Sequence, residues 1–368
     1  MTRKSDSQEP VYRLLPRHAG KTLAAVLREL LPVPGTASWE AVRRTIHSRR
    51  VMVNGNICTD DARRMKLSDI IKILAVSAAP PPGADELRLL YVDRDIVVVD
   101  KPAGITTTRH HDDADCSERR RRQLQPTLDE LLPTAIAQYE GHRPHARRSA
   151  DMGRKQHDRK YRPHTRRVGV TPVFPVHRID RETSGVLVFA RNHEAAAGLI
   201  PQMKTHSTQR EYVAICTGVL SGPAQHTFKS QLVRDRGDGL RGSTSDSDPN
   251  VGKHAVTHVL PLEPLIGHTL ISCTLDTGRT HQIRIHLLEA GFPLAGDKMY
   301  RKPYGGRAIL DPSGALRTML HAASLEFTHP VTGRRMRFHC RPPLDFFECV
   351  RRLAKASDSD KIDGYGDS

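Results

Sequence analysis

Apolar residues recur at helical spacing near the start of the chain. Leu23, Val26, Leu27, Leu30 and Leu31 share one face, with Lys21 and Arg28 on the other. A second helix is predicted from about Trp39 to Ser48, carrying Val42 and Ile46 with Arg43, Arg44, Arg49 and Arg50. Val51-Met52-Val53 then reads as a short strand into an Asn54-Gly55 turn, and Ile70–Leu74 as a closing strand. Two helices and a hairpin in residues 11–76 make a compact module, with its basic residues gathered where the second helix meets the hairpin. The Pro-rich run 78–84 makes a stiff linker of 77–86. Beyond it the period changes. Leu87–Val92, Ile96–Gly104, Gly185–Ala190, Glu211–Cys216, His254–Leu260 and Thr269–Leu275 are β-rich runs with few long helices among them. They predict an α+β domain over 87–350, built on a mixed or antiparallel sheet.

Two stretches interrupt that domain. Residues 109–125 and 141–171 are dense in Arg, Lys and His, with almost no aliphatic residues. They cannot bury enough apolar surface to fold alone. They read as basic arms that touch phosphates, an inert insertion being the alternative. Between them, Thr127–Pro133 predicts a short helix. Residues 234–253 predict a polar surface loop. The ends, 1–10 and 351–368, are expected to be disordered.

Charge narrows the class of partner. Lys and Arg number 57 against 41 Asp and Glu, a net +16 that attracts polyanions and puts nucleic acid first. Cys58, Cys116, Cys216, Cys273, Cys340 and Cys349 form no CxxC pair, so neither a zinc knuckle nor a disulfide framework is suggested. Reduced thiols in a cytoplasm are the simplest account. No apolar run approaches the roughly 18 residues of a membrane helix, and the N-terminus lacks the apolar core of a signal peptide. The expectation is a soluble cytoplasmic protein, with nothing demanding more than a monomer. His110, His111, His142, His145, His157 and His164 lack metal-ligand spacing, so no metal is expected. Aromatics are only 5%, which counts against RNA readers that stack bases on a sheet.

The most informative stretch is Val176–Ala190. Asp180 sits between Arg178 and Arg181, just before a turn that feeds an apolar strand. Neighbouring guanidiniums favour its ionised form, which suits a nucleophile or base. On these residues alone, a surface Asp in an Arg-rich turn is an equal reading. The run His177-Arg-Ile-Asp-Arg-Glu-Thr-Ser-Gly185, however, resembles the H-R-[LI]-D-x-x-T-S-G signature of RluA-type pseudouridine synthases. The resemblance implies that Asp180 attacks or deprotonates the ribose while its bond to uracil N1 breaks. The free base then turns and rejoins the sugar through C5. An isomerase that recaptures its own leaving base needs no hydrolytic water, so one carboxylate suffices where glycosidases commonly use two. Glu182 receives no role. A base must leave the stack to react, and the resemblance implies that Arg178 fills the space it vacates. Pairing with Asp180 or a phosphate is the plainer reading of Arg178.

Further blocks extend the resemblance. Gln209–Gly218 is similar to the family strand K-x-Y-x-A-x-V-x-G and implies Tyr212 in the active site, where it can stack on uracil and serve in proton transfer. The family lysine falls on Glu211 or Arg210, depending on the offset. Leu275–Leu287 is similar to L-x-T-G-R-T-H-Q-I-R-x-H. It implies Arg284 paired with Asp180, the guanidinium fork holding it charged, and His281 and Gln282 on the wall that meets RNA. Gly296–Tyr300 and Leu320–Gly333 also fit. The module over 11–76 resembles an S4 RNA-binding domain, implying RNA contacts from Arg43, Arg44, Arg49, Arg50 and Asn54. The implied protein is a pseudouridine synthase that uses no cofactor. Large-subunit ribosomal RNA is the first choice of substrate, and transfer RNA or a non-catalytic RNA-binding role are the alternatives.

Overall fold

The computed structural model describes residues 11–31, 38–53, 56–67, 69–78, 80, 82–109, 124–141, 172–204, 208–220, 222, 224–244 and 251–359. Asn54 and most of the two basic insertions lie outside them.

The N-terminal module forms as its periodicity requires. Strand β1 (Val11–Arg13) precedes α1 (Leu23–Leu30), α2 (Trp39–His47), β2 (Val51–Val53), β3 (Asn56–Ile57) and β4 (Ile70–Ile73). Thr22 and Ser38 cap the two helices by accepting from Ala25 N at 3.2 Å and Ala41 N at 3.1 Å. Leu23, Val26, Leu27, Val42 and Ile46 are buried against Val51, Ile71 and Ile73. The sheet order β1-β4-β2-β3 is antiparallel throughout. Strand β1 has no counterpart in the sequence reading, because three residues are too few to show alternation.

The larger unit is an eleven-stranded sheet. In chain order it comprises β5 (Arg88–Val92), β6 (Ile96–Lys101), α3 (Leu128–Gly141), β7 (Phe174–Pro175), β8 (Ser184–Ala190), α4 (His193–Lys204) and β9 (Gln209–Thr217). Then come β10 (His226–Val233), β11 (Gly242–Thr244), β12 (Lys253–Leu265), β13 (His268–Leu275), α5 (Gln282–Glu289), β14 (Leu320–Thr328), β15 (Arg335–His339) and α6 (Leu344–Ser359). The main path runs β11-β10-β12-β13-β9-β14-β8-β6-β5, with β15 on β14 and β7 on β8. Only the β14–β8 pair is parallel among the described strands. The α+β class with a mostly antiparallel, mixed sheet is therefore as the sequence predicts.

The unbroken apolar runs of β6 and β8 have a simple cause: both faces of the sheet are covered. Val97, Val99, Leu187 and Phe189 pack on one face with α3, which supplies Leu128, Leu132 and Ile136, and with Ile283 and Leu287 of α5. Ile96, Val98, Val186 and Val188 pack on the other with Ala195 and Leu199 of α4.

Three boundaries need correction. The helix expected to end at Pro133 runs on to Gly141, because Ala135 and Ile136 continue its buried stripe. The polar loop 234–253 contains β11, and its Arg236 is buried, donating to Asp238 at 3.0 Å and to the Lys302 carbonyl at 2.9 Å. The tail expected from residue 351 is instead helical to Ser359. Phe346, Cys349 and Leu353 of α6 are buried against Ile215, Leu265 and Met319. The polar residues at its end hid that stripe.

The two units touch. Lys72 Nζ donates to the Lys298 carbonyl at 3.1 Å, and Arg13 lies 3.8 Å from Asp238. No helix among the described residues is long and apolar enough to cross a membrane.

Candidate active site

Asp180 lies in the segment that enters β8, and Thr183 N donates back to its carbonyl at 3.1 Å. The motif residues around it are largely architectural. Gly185 has φ +119°, and a Cβ there would sit 2.2 Å from the Ala322 carbonyl oxygen, so only glycine lets β8 run against β14. Ser184 Oγ and His321 Nδ1 are 2.9 Å apart. His177 Nε2 accepts from Val188 N at 3.2 Å, and burial pushes its pKa down to about 3, so it is neutral. Glu182 is spent on Arg181 at 3.0 Å.

The loop after β6 holds the segment from below. Lys101 is fully buried and donates to the carbonyls of Pro102 at 3.0 Å, Ile105 at 2.8 Å and Arg181 at 3.1 Å. Thr107 Oγ1 donates to the Ile179 carbonyl at 2.9 Å. Burial lowers the Lys101 pKa to about 7. A charged residue ending an apolar strand was the available signal for Lys101, and sequence reasoning passed over it.

Arg284 reaches Asp180 from α5, Nη1 donating to Oδ2 at 3.1 Å. This pairing is as the resemblance implies, but its geometry differs. The bidentate face of Arg284 goes to Asp297, with Nε–Oδ2 at 2.6 Å and Nη2–Oδ1 at 2.9 Å. Asp297 Oδ1 also accepts from Met299 N and Tyr300 N, each at 2.9 Å. The Tyr300 ring lies 4.8 Å from the guanidinium carbon. Asp297 therefore aims Arg284, leaving one edge for Asp180. It stands in the Gly296–Tyr300 block, where an aspartate in a short polar turn gave little sign of burial.

The electrostatics favour an ionised Asp180. Burial alone would raise its pKa, but nearby positive groups outweigh it and hold the carboxyl below the usual range. His281 is pushed down to about 4 by burial and is neutral near pH 7. The work therefore falls to Arg284, itself held protonated by Asp297, and to Arg178. His281 adopts φ +61° at the start of α5, its Nδ1 2.8 Å from Tyr300 Oη and its Nε2 3.9 Å from Asp180.

Asp180, Tyr212, Arg284, Arg178, His281 and Gln282 all line one open cavity of about 560 Å³. Strand alternation settles which cation accompanies Tyr212. Arg210 shares its buried face and lines the cavity, while Glu211 points the other way and accepts from Ser272 Oγ at 3.2 Å. Arg210 Nε is buried and has no hydrogen-bond partner among the described residues. Burial raises the Tyr212 pKa, so the phenol stays protonated.

Gln282 is a correction. It is 3% exposed, and its amide is used inside the protein. Its oxygen accepts from Thr277 Oγ1 at 2.7 Å and Arg279 N at 3.0 Å, and its nitrogen donates to the Val256 carbonyl at 2.9 Å and Thr257 Oγ1 at 3.0 Å. It shapes the wall and has no group left for RNA.

The arginines of the N-terminal module lie outside this cavity. Arg43 and Arg44 are exposed, paired with Asp61 at 3.1 Å and Glu40 at 2.9 Å. Arg50 donates to the Leu74 carbonyl at 2.8 Å, and Arg49 to that of Ala78 at 3.0 Å. Arg49 also feels the charge of Arg181, which brings the module up to the Asp180 loop. Among the described residues, Asp93, Asp95 and His329 are close enough together for a metal, but His329 bonds Asp93 directly at 2.9 Å and the cluster is not part of the cavity.

A mixed sheet with this cavity at its loops now has a family. Residues 95–289 match the family described as RNA pseudouridylate synthase. The chain belongs to that family and is a pseudouridine synthase acting on RNA. It is similar to an uncharacterized RNA pseudouridine synthase of Bacillus subtilis, YlyB, at 33% identity over 320 residues, covering 85% of this chain and 89% of that one. A ribosomal large subunit pseudouridine synthase D of Xylella fastidiosa is 30% identical over 347 residues, covering 92% and 91%. The fold matches Human RNA Pseudouridylate Synthase Domain Containing 4 with a TM-score of 0.51 at 21% identity, over 72% of this chain and 92% of that one.

Proposed function

We propose that the chain isomerises uridine in large-subunit ribosomal RNA, with Asp180 as the catalytic carboxylate. The observation that carries the chemistry is the arrangement of one ionised aspartate, held on one edge by the Asp297-clamped Arg284, in the cavity that Tyr212 also lines. At about 560 Å³ the cavity is in the range that accepts a small ligand such as a flipped nucleoside.

The steps balance without a co-reactant. The C1′–N1 bond breaks as Asp180 either bonds to C1′ or takes a proton from the sugar. The uracil turns and C5 bonds to C1′, as the Asp180–C1′ bond breaks or the sugar regains its proton from Asp180. The hydrogen of C5 then leaves as a proton while N1 regains one. Arg284 keeps the carboxylate charged and aimed. Tyr212, protonated and half of a wall, stacks on the base and relays the C5 proton. The Arg210 guanidinium, which lines the cavity beside Tyr212, suits a carbonyl of the base. Arg178, exposed at the cavity mouth, fills the gap in the RNA.

The N-terminal module is proposed to grip structured RNA as an S4 domain does. Its exposed ion pairs at Arg43 and Arg44 are worth little in water and exchange readily for phosphates. The ribosomal substrate rests on the similarity to relatives named for the large subunit, which extends over most of both chains. The test is tritium release from C5-tritiated transcripts of large-subunit ribosomal RNA and of transfer RNA. Release from the ribosomal transcript is expected; release confined to transfer RNA would reassign the substrate.

A further inference from the structure

A second cavity, of about 440 Å³, opens beside the first. Arg234, Arg241, Lys253 and Arg279 line it, and Gly278, Arg279 and Thr280 line both cavities. It forms where β10, β11 and β12 meet, Val233 facing Gly242 and Leu232 facing Lys253. Glycines keep its walls thin. A Cβ at Gly278 would lie 2.5 Å from Arg210 Nη1, so the backbone of 278, which lines both cavities, passes close to the guanidinium beside Tyr212.

Four cations around one cavity repel each other, and among the described residues no carboxylate forms an ion pair with them. Asp235 is spent on the amides of Gly237 and Gly239, each at 2.8 Å. Asp276 lies 3.1 Å from His258, and Glu289 accepts from Ser243. Arg279 donates Nε to the His254 carbonyl at 3.1 Å and has no acid partner among the described residues. Nor do Arg234, Arg241 and Lys253 make a side-chain hydrogen bond or ion pair among the described residues. Arg241 is near enough to the catalytic cavity that its charge opposes protonation of His281. The lining contains no aromatic ring. The pocket therefore suits an anion and offers nothing for a base to stack on.

We infer that this pocket holds a backbone phosphodiester of the RNA strand flanking the uridine bound at Asp180. The inference rests on the RNA-isomerase reading above. Guanidinium forks match the oxygens of a phosphodiester, and such contacts fix a strand's register without reading its sequence. Gripped here, the strand is anchored a short step from the flipped base. The contact adds affinity to the bound strand in ground and transition state alike.

The test uses the full chain and a transcript of large-subunit ribosomal RNA carrying C5-tritiated uridine. The pocket variant is Arg234→Gln with Lys253→Gln. Its charge-matched control is Arg88→Gln with Arg94→Gln, on exposed residues of and after β5 at the opposite end of the sheet. The pocket variant should raise KM about tenfold, the worth of a charge-assisted hydrogen bond, with kcat nearly unchanged. The slope of log kcat/KM against log salt should become shallower by about one. The control should keep the wild-type KM and slope, and Arg234→Lys with Lys253→Arg, which keeps both charges, should retain most of the affinity. A pocket variant that behaves like the control overturns the inference while leaving the enzyme reading intact. Wild-type protein with no Asp180-dependent release from that transcript or from transfer RNA overturns both.

Discussion

At the scale of single residues, the site is a relay of orientation. Asp180 is held by one nitrogen of Arg284, and Arg284 is held by both oxygens of Asp297, which two backbone amides fix in turn. Asp297→Asn should therefore cost about 10²-fold in kcat, the usual penalty for a displacement of about an ångström at a reacting group. It should also lower stability by roughly 3 kcal/mol or more, since Arg284 keeps a buried charge with one partner fewer. Kinetics and a thermal melt on the same preparation check both. A kcat within a few-fold of wild type would mean that Asp180 orients without the clamp. That Asp180, Tyr212 and Arg284 meet in one cavity was legible from motif blocks alone. The burial of Asp297 was not, because it depends on contacts across separate loops that a linear pattern does not show, and Lys101 gave only the sign of a charge at the end of an apolar strand.

At the scale of elements, β8 and α5 carry the site, and each has a weak point. Gly185→Ala on β8 would force a left-handed backbone and a Cβ at 2.2 Å from the Ala322 carbonyl oxygen. It should destabilise the protein by several kcal/mol, or prevent folding, as read by yield and melting temperature. On α5, burial is the first cause of the low pKa of both His281 and His286, each pushed down to about 4. An unfolded histidine titrates near pH 6.5, so the unfolded chain takes up protons first as the pH falls. Their contribution to stability is whole above about pH 6.5 and drains away toward pH 4, by up to about 1.4 kcal/mol per pH unit for each group. Melting temperatures across pH 7 to 4.5 should fall steadily, and His286→Asn should flatten part of that fall. A curve that stays level for the wild type contradicts the burial argument. The buried strands and both N-terminal helices were legible because their apolar spacing is regular. Helix α6 and strand β11 were not, since polar residues dominate the stretches in which they lie.

At the scale of the whole molecule, a basic chain presents its cations on both units. Arg43 and Arg44 stand on the N-terminal module, and Arg178, Arg234, Arg241, Lys253 and Arg279 stand around the two adjoining cavities. With a net charge of +16, RNA affinity should fall steeply with salt, by on the order of 10³-fold or more between 50 and 200 mM if six or more phosphates are contacted. Filter binding across that range checks it, and a flat profile would point to contacts other than phosphates. The family assignment rests on matches spanning most of the chain, whereas the role of each residue rests on geometry. The most direct test is therefore a comparison of Asp180→Ala with wild type on one C5-tritiated ribosomal transcript, with RNA affinity measured alongside. Release should drop by at least roughly 10⁴-fold, the scale seen when a catalytic carboxylate is removed, while affinity stays within a few-fold. Substantial release from the variant, with the fold and affinity intact, would contradict the assignment of Asp180 as the catalytic group.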